Sequence, residues 1–184
     1  MKKLLLGALL AALALMTWGF VFWATPLSGS TLQPSADDAA LRAALSEVLP
    51  ETGTYLLPGP TDDLEAYAAN HEAGPLALIH FRAEGTPMMA PSLFLKGFLH
   101  MFATALLIGL LMRSVNLPTY RRRFAFAAFA GLAASFWINL SGPIWFYEPW
   151  AFNVFTFLYD VIAWVIAGSV LAKFVVPERQ AAFA

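Results

Sequence analysis

The sequence predicts a mainly α-helical integral membrane protein: a bundle of four transmembrane helices with a small α+β extracytoplasmic domain between the first two. Hydrophobic residues make up 59% of the chain and charged residues 12%, whereas soluble domains carry about 25% charged residues. Four apolar stretches each come close to the roughly 20 residues that a helix needs to cross the hydrocarbon core. Between the first two stretches Pro, Gly, Asp and Glu return, as is typical of a segment in water.

The first apolar stretch follows Met1-Lys2-Lys3 and predicts a transmembrane helix over residues 4–24. A basic start before apolar residues also describes a secretory signal peptide, whose apolar region is about 7–15 residues long. Here the apolar residues continue through Trp18 and Trp23 without a small-residue cleavage site. We therefore expect an uncleaved helix.

Residues 25–91 predict a small domain with the order helix, strand, helix, strand. Ser35 and Thr61 each precede an acidic stretch and predict the two helix N-caps, because capping oxygens and early carboxylates both favour a helix amino end. Short apolar runs over 54–57 and 76–81, bounded by Pro and Gly, predict the strands.

Three further stretches predict transmembrane helices over 93–112, 124–141 and 153–176, followed by a tail of residues 177–184. The second of these is near the lower limit of about 17 residues, so we expect it either to cross the membrane nearly upright or to gain length from Ser141 and Gly142.

Basic residues predict the orientation, because Lys and Arg near the ends of spans are retained in the cytoplasm. Eight of the eleven basic residues fall on one side of a four-span topology. These are Lys2, Lys3, Arg113, Arg121, Arg122, Arg123, Lys173 and Arg179. We therefore expect both termini in the cytoplasm and residues 25–91 in the periplasm.

Polar residues inside the apolar stretches predict a shared polar layer in the outer half of the bundle. Asp160 lies about 15 Å inward from Trp150 and His100 about 12 Å inward from Ser92, if both stretches are helical. An ionisable group at such depth costs at least about 2.5–3.5 kcal/mol, so we expect Asp160 to be paired, with His100 preferred and Lys96 as the alternative. The predicted layer comprises Thr17, Lys96, His100, Thr104, Ser135, Thr156 and Asp160.

Two interpretations of this layer stay open. In one, Asp160 and His100 carry a proton or ion step, or form a ligand site. In the other, the layer is a hydrogen-bonded network that fixes helix register, for which Thr, Ser and Asn partners suffice.

No cofactor, metal site or catalytic residue is predicted. The chain has no Cys, which excludes thiolate zinc sites, iron–sulfur clusters and thiol nucleophiles. His71-Glu72 begins like the zinc motif H-E-x-x-H, but Pro75 stands where the second His is needed. A net charge of -1 leaves no basic face for nucleic acid.

The connection between the last two spans, residues 142–150, is rich in aromatic residues. Aromatic rings favour the membrane–water interface, and Trp and Tyr are also typical anchors for a protein partner, so both interpretations stay open. The aromatic residues concerned are Trp145, Phe146, Tyr147 and Trp150. Arg121, Arg122 and Arg123 are expected to fix orientation and to contact anionic lipid.

The segments Gly53–Gly59 (GTYLLPG) and Gly74–Leu76 (GPL), with this aromatic loop, resemble an uncharacterised family of small bacterial inner-membrane proteins. That family has four transmembrane helices and a periplasmic segment after the first, and the resemblance implies no activity, cofactor or catalytic residue. We expect a non-catalytic accessory, assembly or scaffold subunit, with membrane lipids and other membrane-protein subunits as partners. The alternative is a small transporter or proton-coupled carrier that uses Asp160 and His100.

Overall fold

The structure is a computed structural model that describes residues 1–175, without the side chain of Ser28. Residue 176, Arg179 and the predicted tail 177–184 lie outside the described residues. In chain order the elements are α1 (Lys2–Trp23), α2 (Asp38–Val48), β1 (Gly53–Leu57), α3 (Leu64–Ala73), β2 (Ala77–Phe81), α4 (Pro91–Ser114), α5 (Tyr120–Trp145) and α6 (Trp150–Phe174).

Four long helices, α1, α4, α5 and α6, are apolar and long enough to cross a membrane. Even the shortest, α1 with 22 residues, is about 33 Å long, which exceeds a hydrocarbon core of about 30 Å. The predicted mainly helical fold with four candidate membrane-spanning helices is confirmed.

Helix α5 extends beyond its predicted span at both ends. The hydroxyl of Thr119 caps it by accepting a hydrogen bond from the backbone N–H of Arg122 at 3.3 Å. At the other end α5 continues through Pro143 to Trp145, although proline cannot donate the usual helical hydrogen bond. With 26 residues, α5 is not the short helix that its apolar stretch predicted.

Helix α5 packs mainly against α6, and α1 packs to a similar extent against α4 and against α6. On α1, Ala8, Ala11 and Ala12 are fully buried, and such small residues let helix backbones approach closely. Helix α4 makes little contact with α5 or α6. A cleft therefore separates α4 from α5.

Small residues also bring α5 and α6 together. Gly131 of α5 lies so close to Trp164 of α6 that an added Cβ would overlap the Cβ and ring of the tryptophan. On Gly168 an added Cβ would lie 3.0 Å from the Cβ of Ala127. These small residues of α5 and α6 therefore let the two helices approach closely.

In the segment that connects α1 to α4 along the chain, strands β1 and β2 pair antiparallel, from Gly53 opposite Phe81 to Leu57 opposite Ala77. Helices α2 and α3 contain no buried residue. The predicted order of elements is present, but a compact α+β domain with a core of its own is not clearly shown.

The caps of α2 and α3 differ from those predicted. Asp37, not Ser35, caps α2, because its Oδ1 accepts hydrogen bonds from the N–H groups of Ala39 and Ala40, both at 3.0 Å. Asp63, not Thr61, caps α3. Aspartate satisfies the free N–H groups of a helix amino end and also complements its dipole.

Candidate functional site

A cavity of about 380 Å³ lies in the cleft between α4 and α5, with walls from all four long helices. It exists because α4 packs on α1 and leaves α5 to pack on α6. Its rim includes Ile138, whose side chain is 68% exposed, so the cavity opens to the outer surface of the bundle. The polar and aromatic residues that line it are His100, Thr104, Ser135, Tyr159, Asp160 and Trp164.

Asp160 is half-buried and points into the bundle. Its Oδ2 accepts a hydrogen bond from Nδ2 of Asn139 on α5 at 2.7 Å. The same amide nitrogen donates to the backbone oxygen of Ser135 at 3.1 Å, which fixes its orientation. The carboxylate is thus held against α5.

The expected pairing of Asp160 with His100 is not found. His100 lines the same cavity from α4, but its imidazole is exposed and no hydrogen bond joins it to Asp160. Lys96, the alternative partner, is also exposed and does not line the cavity. His100 and Asp160 do not pair because α6 packs against α5 and makes little contact with α4, which lies on the other side of the cleft.

Ser135 is 2% exposed, and its hydroxyl has no hydrogen-bond partner among the described residues. Leaving a hydroxyl buried and unpaired costs about 1–3 kcal/mol. Ser135 forms part of the cavity wall, but its hydroxyl oxygen is itself covered by neighbouring atoms.

Two other residues of the predicted layer do not line the cavity. Thr17 is exposed, and its hydroxyl donates to the backbone oxygen of Leu13 at 3.0 Å. The hydroxyl of Thr156 donates to the backbone oxygen of Asn153 at 3.0 Å. Both threonines satisfy their hydroxyls within their own helices, which removes the need for a partner across the bundle.

The sequence did not single out Asn139, Tyr159 or Trp164. One signal was available for Asn139, because it follows Ser135 by four residues and therefore shares its helical face. Tyr159 packs on α1, with its ring centre 6.0 Å from that of Trp18, and the Trp18 indole N–H donates to the Tyr159 backbone oxygen at 3.1 Å. No local pattern links residues so far apart in the chain.

The cavity combines the carboxylate of Asp160, the hydroxyl of Thr104, the imidazole of His100 and two aromatic residues in apolar surroundings. No family model, curated protein or solved structure matches this chain. Within residues 1–175, no group of three or more His, Asp or Glu side chains is placed to hold a metal ion. The arrangement suits a ligand that donates hydrogen bonds to the carboxylate and fits an apolar space.

Of the three consecutive arginines, Arg123 binds the protein itself. Its Nε donates to the backbone oxygen of Ala172 at 2.8 Å, and Nη1 donates to that of Leu117 at 3.1 Å. It thereby satisfies a carbonyl in the last turn of α6, where helical partners are missing, and ties down the α4–α5 connection. Arg121 and Arg122 are exposed and stay available for anionic lipid.

The aromatic connection is shorter than expected, because α5 runs to Trp145 and α6 begins at Trp150. Tyr147 adopts a left-handed backbone conformation with φ 56°, and its ring centre lies 5.4 Å from that of His71 on α3. Trp145, Phe146, Tyr147 and Trp150 are all exposed. The connection therefore lies beside the segment between α1 and α4 and presents its rings outward.

Proposed function

We propose that this protein is a non-catalytic accessory, assembly or scaffold subunit of a larger complex in the bacterial inner membrane. In this proposal residues 25–91 and the aromatic connection contact partner subunits in the periplasm. The observation that carries it is the absence of any buried residue in α2 and α3. Helices of a domain that is complete by itself bury an apolar face.

Exposed apolar side chains on α2 and α3 support the proposal that a partner subunit packs against these helices. Leu64 at the start of α3 is 77% exposed, and Val48 at the end of α2 is 67% exposed. Neither helix packs extensively against the β1–β2 sheet or the long helices. Because Tyr147 contacts His71, the exposed rings of the aromatic connection extend this surface. Docking to a partner would supply the core of the proposed α+β domain.

A second candidate is a small transporter or proton-coupled carrier, which is favoured by the presence of Asp160 and His100 in one cavity. Intramembrane acids and histidines mark substrate or proton pathways in many transporters. This candidate needs no partner subunit, so isolation of the protein separates the two proposals.

Cross-linking in cells, followed by purification of the tagged full chain in mild detergent, should yield a partner in fixed stoichiometry. Leu64→Ser should lower the recovered partner by at least about fivefold, because burying such a leucine in an interface contributes about 1.5–3 kcal/mol. Glu65→Ser, at the next position of the same helix, is the matched control and should retain the partner. Recovery of the chain without any partner, before and after cross-linking, would reject the accessory role and favour the transporter.

Single cysteines should report the proposed orientation, because the natural chain has none to give a background. Ser46→Cys on α2 should react with a membrane-impermeant maleimide in spheroplasts. Asn116→Cys in the α4–α5 connection should react only after the membrane is opened. Both positions are exposed, so access to the reagent depends on the side of the membrane. The reverse labelling pattern would place residues 25–91 in the cytoplasm.

A further inference from the structure

We propose that the cavity between α4 and α5 binds a small membrane-soluble amine in its protonated form. The ammonium group pairs with Asp160, and the apolar part of the ligand lies between the helices. This ligand site is additional to the accessory role and does not depend on it.

Charge selects the class of ligand. Asp160 is the only acidic residue among the described residues that line the cavity, and no Lys or Arg lines it. Oδ2 of Asp160 is held by Asn139, and its other oxygen makes no hydrogen bond within the described residues. A carboxylate in apolar surroundings is costly unless a donor or a cation meets it. An ammonium group supplies both.

A hydroxyl on the opposite wall adds a second acceptor. Thr104 of α4 lines the cavity, and a protonated primary amine carries three N–H donors. One N–H can meet Asp160 while another meets Thr104. An anionic head group would instead be repelled by Asp160.

The rest of the cavity suits an apolar body. Trp164 and Tyr159 contribute aromatic rings, which attract cations and pack well against hydrocarbon. Leu15, Met101 and Ala163 add apolar walls. The volume of about 380 Å³ lies within the range of about 300–1,000 Å³ for small-molecule sites. The exposed rim at Ile138 gives a ligand dissolved in the bilayer a lateral route to the site.

Three probes with the same apolar cage and different head groups test this proposal: adamantylamine, adamantanol and adamantane carboxylate. Binding to the purified full chain in lipid nanodiscs at neutral pH is measured by equilibrium dialysis. Adamantylamine should bind with one molecule per chain, and the carboxylate should bind at least about tenfold more weakly, because a charge-assisted hydrogen bond is replaced by repulsion.

Variants locate the site. Asp160→Asn should weaken binding of adamantylamine at least about tenfold, to the level of adamantanol, and Thr104→Ala should weaken it about threefold. Thr17→Ala, outside the cavity, should bind like the natural chain.

Three outcomes would overturn the proposal: no saturable binding of adamantylamine, equal affinity for the three probes, or unchanged binding by Asp160→Asn. If Asp160→Asn does not assemble, the probe series on the natural chain and Thr104→Ala still decide. Because Leu64 is not among the residues that line the cavity, partner capture and amine binding can fail separately.

Discussion

Gly131→Ala should lower the melting temperature of the purified protein by about 2–12 °C, because its new methyl group overlaps Trp164. The overlap involves the Cβ of Trp164 as well as its ring, so a change of side-chain rotamer cannot relieve it and α5 must move away from α6. Overpacking of this kind costs about 1–3 kcal/mol or more. For a chain of this length, each kcal/mol corresponds to about 2–4 °C.

Gly97→Ala on α4 is the matched control. An added Cβ at Gly97 meets no atom within 4 Å, and alanine favours a helix over glycine by about 1 kcal/mol. The control should melt at the natural temperature or above it. Both variants are measured by loss of the monodisperse peak in size-exclusion chromatography after heating in mild detergent. Equal melting temperatures for the two variants would contradict the close α5–α6 contact.

Asp160→Leu should destabilise the protein by about 1–3 kcal/mol, because one N–H of the Asn139 amide loses its acceptor while the other still donates to Ser135. Asp160→Asn should cost less, since the amide oxygen can still accept that hydrogen bond. The heating assay used for the glycine variants measures both effects.

The double variant Asp160→Leu with Asn139→Leu tests whether Asp160 and Asn139 stabilise the protein as an interacting pair or independently of each other. Replacing both partners by apolar side chains removes the unsatisfied donor, so the double variant should recover much of the stability lost in Asp160→Leu. Thr17→Leu, at an exposed position on α1, should leave the melting temperature unchanged. A fully stable Asp160→Leu protein would show that the Asn139 contact does not hold α5 to α6.

Several features of the fold could be predicted because their cause is local in the sequence. Apolar stretches of sufficient length predict helices that can cross a membrane. Helix caps were predicted less well. Asp37 and Asp63 compete with nearby Ser35 and Thr61 for the same role, and a difference of two residues decides which oxygen reaches the free N–H groups.

The candidate site was only partly predictable. Depth along the helices placed His100, Ser135 and Asp160 near one level, and all three line the cavity. The depth of a residue in the membrane does not tell how its helix is rotated about its own axis, however. That rotation decides which side chains contact each other across the bundle. That is why Asn139, rather than His100, holds the Asp160 carboxylate, and why Thr17 faces outward.

The sequence by itself determined the class of this protein, the number of long apolar helices and the polar groups that they carry. Each of these properties follows from the transfer of single residues or short stretches between water and hydrocarbon. Only the tertiary structure decided that α1 packs against both α4 and α6 and that α5 packs against α6, leaving the cavity beside Asp160. Helix pairing depends on the fit of whole surfaces such as Gly131 against Trp164, and contacts between residues so distant in the chain leave no periodic pattern in it.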